Sequence, residues 1–338
     1  MIGYYVHHIG HGHLRHAQCI AEALDDDVTG LSSLARPHGW PGDWILLDRD
    51  DGAASVADPT AYGQLHWAPR GDRGLAARMA QLARWIGNAR PLALVVDVSV
   101  EVTVFARLMG VSTVVMALPG RRDDPAHQLA YSIADAVIAP WPAGTPGMDR
   151  DLHPWLARTA HVGAISRHEG RSRPPDAPRA GRRVLVLQGR GGTETASDLL
   201  RRAAAATPGW QWRRLGPGAW RDDPWPQLCQ ADVVVTHAGL GALADVAVAG
   251  IPAIVIPQPR PHREQDATAE ALGISRLAVT LAAWPPEHEW PALLHAALGI
   301  GGDGWARWRG GGARQAAAVI ERVAGRGANA EMPPCASS

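Results

Sequence analysis

VVVTHAGLGALADVAVAGIPAIVIPQPRPHREQ, residues 233–265, reads as a buried strand, a glycine-containing turn, an alanine-rich helix and a second apolar run. Val233, Val234 and Val235 follow one another without polar alternation, as in a parallel strand covered by helices on both faces. Gly239 and Gly241 let backbone approach a ligand closely, and the first-turn amides of the following helix face outward. Such a turn is an anion site in the making. Asp245 lies eight residues beyond His237, about two helical turns along, where its carboxylate could accept from a ribose diol.

The same alternation extends in both directions. RVLVLQGRGGTET places Gly189, Arg190, Gly191, Gly192 and Thr193 at the carboxyl end of a strand, and TETASDLLRRAAAA continues as a helix. Near the start, IGYYVHHIG precedes the helical HLRHAQCIAEAL, and LALVVDVSV, VTVFARLMG and VSTVVMALP follow later. Strands alternating with helices define α/β, doubly wound domains, whose ligands gather outside the carboxyl ends of the strands. SRHEGRSRPPDAPRAGRR, residues 166–183, lacks apolar periodicity and is the expected linker. The organisation expected is therefore 1–165, a linker at 166–183, a second domain at 184–325 and a tail at 326–338. The last helix of the second domain is a candidate to pack back on the first.

Composition narrows the function classes. The 338 residues carry 33 arginines, no lysine and 33 acidic residues, so no basic run marks a nucleic-acid groove. Cys19, Cys229 and Cys335 are odd in number and scattered, as in a reduced protein without a disulfide framework. The opening residues lack the charged and apolar regions of a signal peptide, and no apolar run reaches the roughly 20 residues of a spanning helix. A cytoplasmic protein is expected, with contact at the inner membrane face left open.

The first turn, IGHGHLRHA, gathers His7, His8, His11, His13 and His16 around Gly12. An imidazole there can take a proton near neutral pH. Zinc is disfavoured, because no cysteine or carboxylate joins these histidines at ligand spacing. Asp97 ends the apolar run LALVV and has two readings of equal weight: it orients a catalytic histidine, or it caps the next helix. Glu101 is a weaker acid/base alternative.

HAGLGALAD resembles the H-x-G-x-x-x-x-x-[DE] pattern of GT-B glycosyltransferases, in particular the family 28 C-terminal domain and related UDP-sugar enzymes. The resemblance implies a GT-B fold, two Rossmann-like domains facing each other across a cleft. It assigns the diphosphate to His237, Ala238, Gly239, Leu240 and Gly241, and the ribose to Asp245, where the family usually has glutamate. Glu264 and Gln265 match the pair that contacts the donor sugar; an ordinary polar helix start is the plainer reading of Gln265. Arg190 and Thr193 of the second glycine loop would meet the diphosphate. Trp220 and Arg221 stand at the family's base-binding spacing, although Trp220 suits packing equally. Gly12-His13 aligns with the catalytic turn, making His13 the base.

The activity so implied is an inverting, metal-independent transfer, of hexosyl type, from a UDP- or dTDP-sugar to a hydroxyl acceptor, with no cofactor beyond the co-substrate. Inversion is favoured because retaining members commonly carry glutamate where this chain has His237. Two rivals stand beside it. Gly10, Gly12, His13 and Arg15 also resemble the turn of a sugar-nucleotide hydrolase of the same fold, and a non-catalytic nucleotide-sugar-binding subunit would need the second domain alone. Residues 37–73, where acceptor contacts belong, match no recognisable pattern.

Overall fold

The computed structural model describes residues 1–9, 11–52, 56–174, 181–189, 197–216, 218, 219, 221 and 223–330. The strands β1 (Ile2–Val6), β2 (Val28–Ser32), β3 (Asp43–Leu46), β4 (Ala93–Asp97), β5 (Ser112–Met116), β6 (Ala136–Ala139) and β7 (Thr159–His161) form one sheet. Its order is β3-β2-β1-β4-β5-β6-β7, and every pairing is parallel. Five more strands build a second parallel sheet: β8 (Arg182–Leu187), β9 (Trp210–Leu215), β10 (Val233–Thr236), β11 (Ala253–Val255) and β12 (Val279–Thr280). These lie in the order β12-β11-β10-β8-β9.

Ten α-helices flank the strands among the described residues, the last two following β12. In the first half they are α1 (His11–Ala21), α2 (Arg73–Ala89), α3 (Val100–Leu108) and α4 (Pro125–Ile133). The second half holds α5 (Ser197–Ala206), α6 (Trp225–Cys229), α7 (Leu240–Ala249), α8 (Glu264–Ile274), α9 (Trp290–Ile300) and α10 (Gly312–Ala330). All five residues of β1 and of β4 are buried, because helices cover both faces. Side chains of α1 and α10 pack on one face and those of α2 and α3 on the other. The C-terminal helix thus leaves the second sheet and lies against α1, β4, β5 and β6.

Both orders are doubly wound, and each reverses direction at one place: between β1 and β4 in the first sheet, between β8 and β10 in the second. The carboxyl ends of these four strands are where a ligand crevice forms. The two halves also share a core. Trp141, Met148 and Leu152 from the first pack in one apolar cluster with Leu243, Ala244, Trp305 and Trp308 from the second. Burying an aromatic or aliphatic side chain of this size is worth about 1.5–3 kcal/mol, so the contact between halves is a substantial part of the fold. Trp305 is fully buried, and its indole N–H donates to the Ile251 carbonyl at 3.0 Å. The segment after Ile165 begins as packed structure: Ser166 and His168 are buried, held by polar contacts to α7 and by Trp225.

Candidate active site

The site begins at the reversal point of the first sheet. Val6 and Asp97 are register partners at the ends of β1 and β4. The chain turns from β1 into α1, whose third residue is His13, and His13 Nδ1 meets Asp97 Oδ1 at 2.9 Å. The His13 side chain is 20% exposed and that of Asp97 only 2%, so the imidazole can reach a substrate while the carboxylate stays hidden. Asp97 is not a helix cap. That role belongs to Ser99, whose Oγ accepts from the Val102 N–H at 3.2 Å. The other Asp97 oxygen is buried without a hydrogen-bond partner, which leaves His13 as the main recipient of the charge.

Burial disfavours the His13 imidazolium, but the adjacent Asp97 charge and hydrogen bond outweigh it and hold the pKa above the ordinary histidine value; Glu264 adds to this and Arg122 opposes it. The neighbouring histidines differ. Burial pushes His7 and His16 down to about 4. His8 faces Asp51 at 3.3 Å, away from the dyad's carboxylate. Val98, immediately after Asp97, has φ 61°, a left-handed conformation that is strained for a β-branched residue. Glu101 is committed elsewhere: its Oε1 accepts from the His66 and Trp67 amides, and Ser99 donates to its Oε2. It therefore anchors a loop, which removes it as an acid/base group.

The opposing wall comes from the reversal point of the second sheet. Gly239 is the N-cap residue of α7 and supplies no capping side chain, so the first-turn amides are open to an anion. His237, after β10, lies between two amides: Gly189 N at 3.0 Å from its Nε2 and Gly239 N at 3.1 Å from its Nδ1. Burial pushes its pKa down to about 4, so the ring is neutral in neutral solution. A neutral imidazole has one lone pair for hydrogen bonding. One of the two amides therefore faces an N–H, and a phosphate oxygen would give that donor an acceptor. Glycine is required here sterically: a Cβ on Gly189 would lie 2.8 Å from His237 Nε2, and one on Gly239 2.8 Å from Cε1.

The walls adjoin. His16, one turn after His13, is buried and its Nε2 has no hydrogen-bond partner; a Cβ on Gly241 in α7 would lie 3.8 Å from that nitrogen. At Gly12 a Cβ would meet open space, leaving room above the first turn of α1. Glu264 opens α8 with its Oε2 3.8 Å from Arg122 Nη2 of the first domain.

Two residues of the expected donor motif carry more structure than the motif suggests. Gln265 is buried, not an exposed helix start, because its Oε1 accepts from Ala238 N at 3.2 Å and Gln258 N at 3.0 Å. It braces the turn before α7. Asp245 accepts from Ser166 Oγ at 2.7 Å, and His168 Nε2 lies 3.8 Å from its other oxygen. Burial raises its pKa, while Ser166 and the nearby Arg167 and Arg15 act in the opposite direction. Arg221 is exposed. Arg190, Gly191, Gly192, Thr193 and Trp220 lie outside the described residues.

Sequence reasoning passed over Arg122, Asp124 and His127. They follow β5, whose carboxyl end opens on the same crevice, so the strand-end rule that selected Asp97 applies equally to residues 118–124.

Residues 221–281 match the sequence profile of the glycosyltransferase family 28 C-terminal domain. A search of the curated proteins returns no match. Among solved structures, the spinosyn rhamnosyltransferase SpnG complexed with thymidine diphosphate superposes with a TM-score of 0.62 at 18% identity, over 98% of this chain and 100% of that one. The glycosyltransferase of kitacinnamycin gives 0.64 at 18% identity over 95% and 98%. MurG of Acinetobacter baumannii gives 0.63 at 13% over 95% and 99%. The chain thus has the two-domain GT-B glycosyltransferase fold along nearly its whole length. Within it, the segment that matches family 28 runs from α6 through β10, α7, β11 and α8 to β12. No helix among the described residues is long and apolar enough to cross a membrane.

Proposed function

We propose that the protein is an inverting glycosyltransferase that moves a hexosyl group from a UDP- or dTDP-sugar to a hydroxyl acceptor. The observation that carries this reading is the His13–Asp97 dyad of one domain opening toward the uncapped α7 turn of the other. Asp97 binds Nδ1 and so leaves Nε2 as the nitrogen that accepts the acceptor's hydroxyl proton. The freed oxygen attacks the anomeric carbon from the face opposite the diphosphate. The bond from that carbon to the diphosphate oxygen breaks, and its electron pair leaves with the nucleoside diphosphate.

Charge on the leaving group is met by the first-turn amides of α7 and by the one amide beside His237 that the ring's single lone pair leaves free, groups already oriented before the reaction. These donors belong to the chain, which supports transfer without a divalent ion on the diphosphate. Asp245 supplies the ribose contact by its carboxylate oxygens, and Glu264 addresses the sugar from the start of α8.

The thymidine diphosphate bound to SpnG and the UDP-2-fluoroglucose bound to a Phytolacca americana enzyme of the same fold define the donor panel. Purified protein is incubated with UDP- and dTDP-hexoses, with and without hydroxyl acceptors and with and without Mg²⁺. The expected product is a glycoside of inverted anomeric configuration by NMR, at a rate that Mg²⁺ leaves unchanged. Free sugar released without acceptor identifies a hydrolase, and tight nucleotide binding without turnover identifies a binding subunit. Failure to bind any nucleoside diphosphate overturns the assignment.

A further inference from the structure

A second group of side chains converges where the two domains meet. His66 comes from the loop before α2, Asp124 is the N-cap of α4, His127 lies in its first turn, and His262 precedes α8 in the second domain. Each offers one ligand atom, and these atoms all lie within 4.8 Å of one another. Asp124 is the hub. Its Oδ1 is 3.1 Å from His66 Nε2, and its Oδ2 is 2.6 Å from His127 Nδ1 and 3.8 Å from His262 Nδ1.

Tautomers sort these four residues into roles. Arg122 Nη1 stands 3.0 Å from His127 Nε2. A guanidinium only donates, so Nε2 carries the lone pair and Nδ1 the proton. His127 therefore donates to Asp124 and fixes the carboxylate. His66 and His262 are the imidazoles left to turn a ring nitrogen toward the hub from opposite domains.

We propose that His66 Nε2, His262 Nδ1 and the Asp124 carboxylate bind one divalent transition-metal ion of the zinc type, with His127 as the positioning residue. The ion fastens the donor-side segment before α8 to the first domain. Two imidazoles and a carboxylate are the donor set such ions take, whereas Mg²⁺ prefers oxygen alone. With metal–ligand bonds of about 2.0–2.2 Å, tetrahedral ligands stand roughly 3.3–3.6 Å apart. His66 Nε2 lies 3.1 Å from Asp124 Oδ1 and His262 Nδ1 3.8 Å from Oδ2, on either side of that spacing and one at each oxygen of the carboxylate. His66, Asp124 and His262 are each about one-third exposed (33%, 31% and 34%), which gives an ion an entry path and leaves coordination positions for water.

The backbone points the same way. His262 and Arg263 have φ 57° and 54°, consecutive non-glycine residues in the left-handed region. Residues other than glycine seldom adopt this region. The conformation is held by Arg121 N donating to the His262 carbonyl at 2.7 Å, and it carries the His262 ring to the other domain's carboxylate. None of these histidines belongs to the N-terminal group in which zinc was disfavoured from sequence. The site uses none of the residues of the α7 turn, and its existence does not depend on sugar transfer.

The test uses full-length, tag-free protein stripped with chelator and titrated calorimetrically with ZnCl₂, then with MgCl₂. One Zn²⁺ per chain, a rise in thermal midpoint with Zn²⁺ and no saturable Mg²⁺ binding are expected. Co²⁺ should give the visible absorption of a four- or five-coordinate site. His127→Gln should weaken Zn²⁺ about 10- to 100-fold, as loss of an orienting partner does, and His66→Ala, His262→Ala and Asp124→Asn by more than that. His8→Ala, which alters a separate group formed with Asp50 and Asp51, should change nothing. Absence of saturable Zn²⁺ binding overturns the proposal. So does binding that survives His66→Ala and His262→Ala, or that is lost only with His8→Ala.

Discussion

His13 Nδ1 and Asp97 Oδ1 lie 2.9 Å apart although 84 residues separate them in sequence, because β1 and β4 are neighbours at the point where the first sheet reverses its order. Asp97→Asn keeps a similar shape but removes the charge. Turnover should fall by about 10²–10⁴. With burial and Arg122 then opposed only by Glu264, the acid limb of the pH–rate profile should move to lower pH. Stability carries the same signature. A histidine whose folded pKa exceeds its unfolded value of about 6.5 contributes stability that is complete below that value and lost as pH rises through the folded one. Urea titrations at several pH values should show this dependence in the native protein and lose it in Asp97→Asn; an unchanged profile refutes the coupling.

His13→Ala should remove about 10²–10⁴ of the rate while nucleotide affinity stays within a few-fold, since the α7 turn belongs to the other domain. Initial rates, nucleotide titration and thermal midpoint on one preparation separate the outcomes. Near-normal turnover excludes His13 as the base.

Val98 holds a left-handed backbone directly beside the dyad. Relief of that strain by Val98→Gly should outweigh glycine's entropic cost and raise stability by about 1 kcal/mol. The freed segment should also orient Asp97 less well and lower kcat. A urea midpoint that falls in this variant contradicts the strain argument.

Much of this arrangement was legible beforehand because buried parallel strands announce themselves. The runs around Leu94–Val96 and Val233–Val235 are β4 and β10; β4 ends in Asp97 and the turn after β10 holds His237. The choice between orienting and capping at Asp97 was not legible. It depends on Ser99 taking the cap and on β1 lying next to β4, and the latter is a matter of sheet order. The burial of Gln265 was hidden for a similar reason: its partners, Ala238 and Gln258, come from turns after two different strands. The Asp124 cluster needed more still, since His66, His127 and His262 are far apart in sequence and His262 arrives through a backbone conformation that sequence seldom specifies.

Asp245 sets stability against binding. Burial raises its pKa, so the folded state favours the neutral acid: the stability it lends is complete below about pH 3.9 and lost as pH rises through the folded value. Asp245→Asn should therefore raise the thermal midpoint at neutral pH. The same change should weaken UDP or dTDP by roughly 10- to 150-fold, the worth of a charge-assisted hydrogen bond of about 1.5–3 kcal/mol. An unaltered dissociation constant in the folded variant removes Asp245 from the donor site.

Gly120 is where the first domain receives the segment that leads into α8. Its φ is 100°, and a Cβ there would intrude on the carbonyl oxygen of His262 and lie 2.9 Å from Glu264 Cα. Both contacts are backbone, so no side chain can rotate away. Gly120→Ala must distort its own conformation or push the segment outward, and either shift carries Glu264 away from Arg122. The dyad and the α7 turn lie on other elements and keep their internal hydrogen bonds. Nucleotide affinity should thus stay within a few-fold and the acid limb set by His13 should move only slightly, toward lower pH, because Glu264 is a lesser contributor than Asp97 to the raised His13 pKa, whereas kcat should drop by about 10², the usual consequence of displacing a positioned group by about 1 Å. Rates, nucleotide titration and small-angle scattering on the same sample resolve the cases. A variant that turns over normally would show that the docking of this segment does not position the donor sugar.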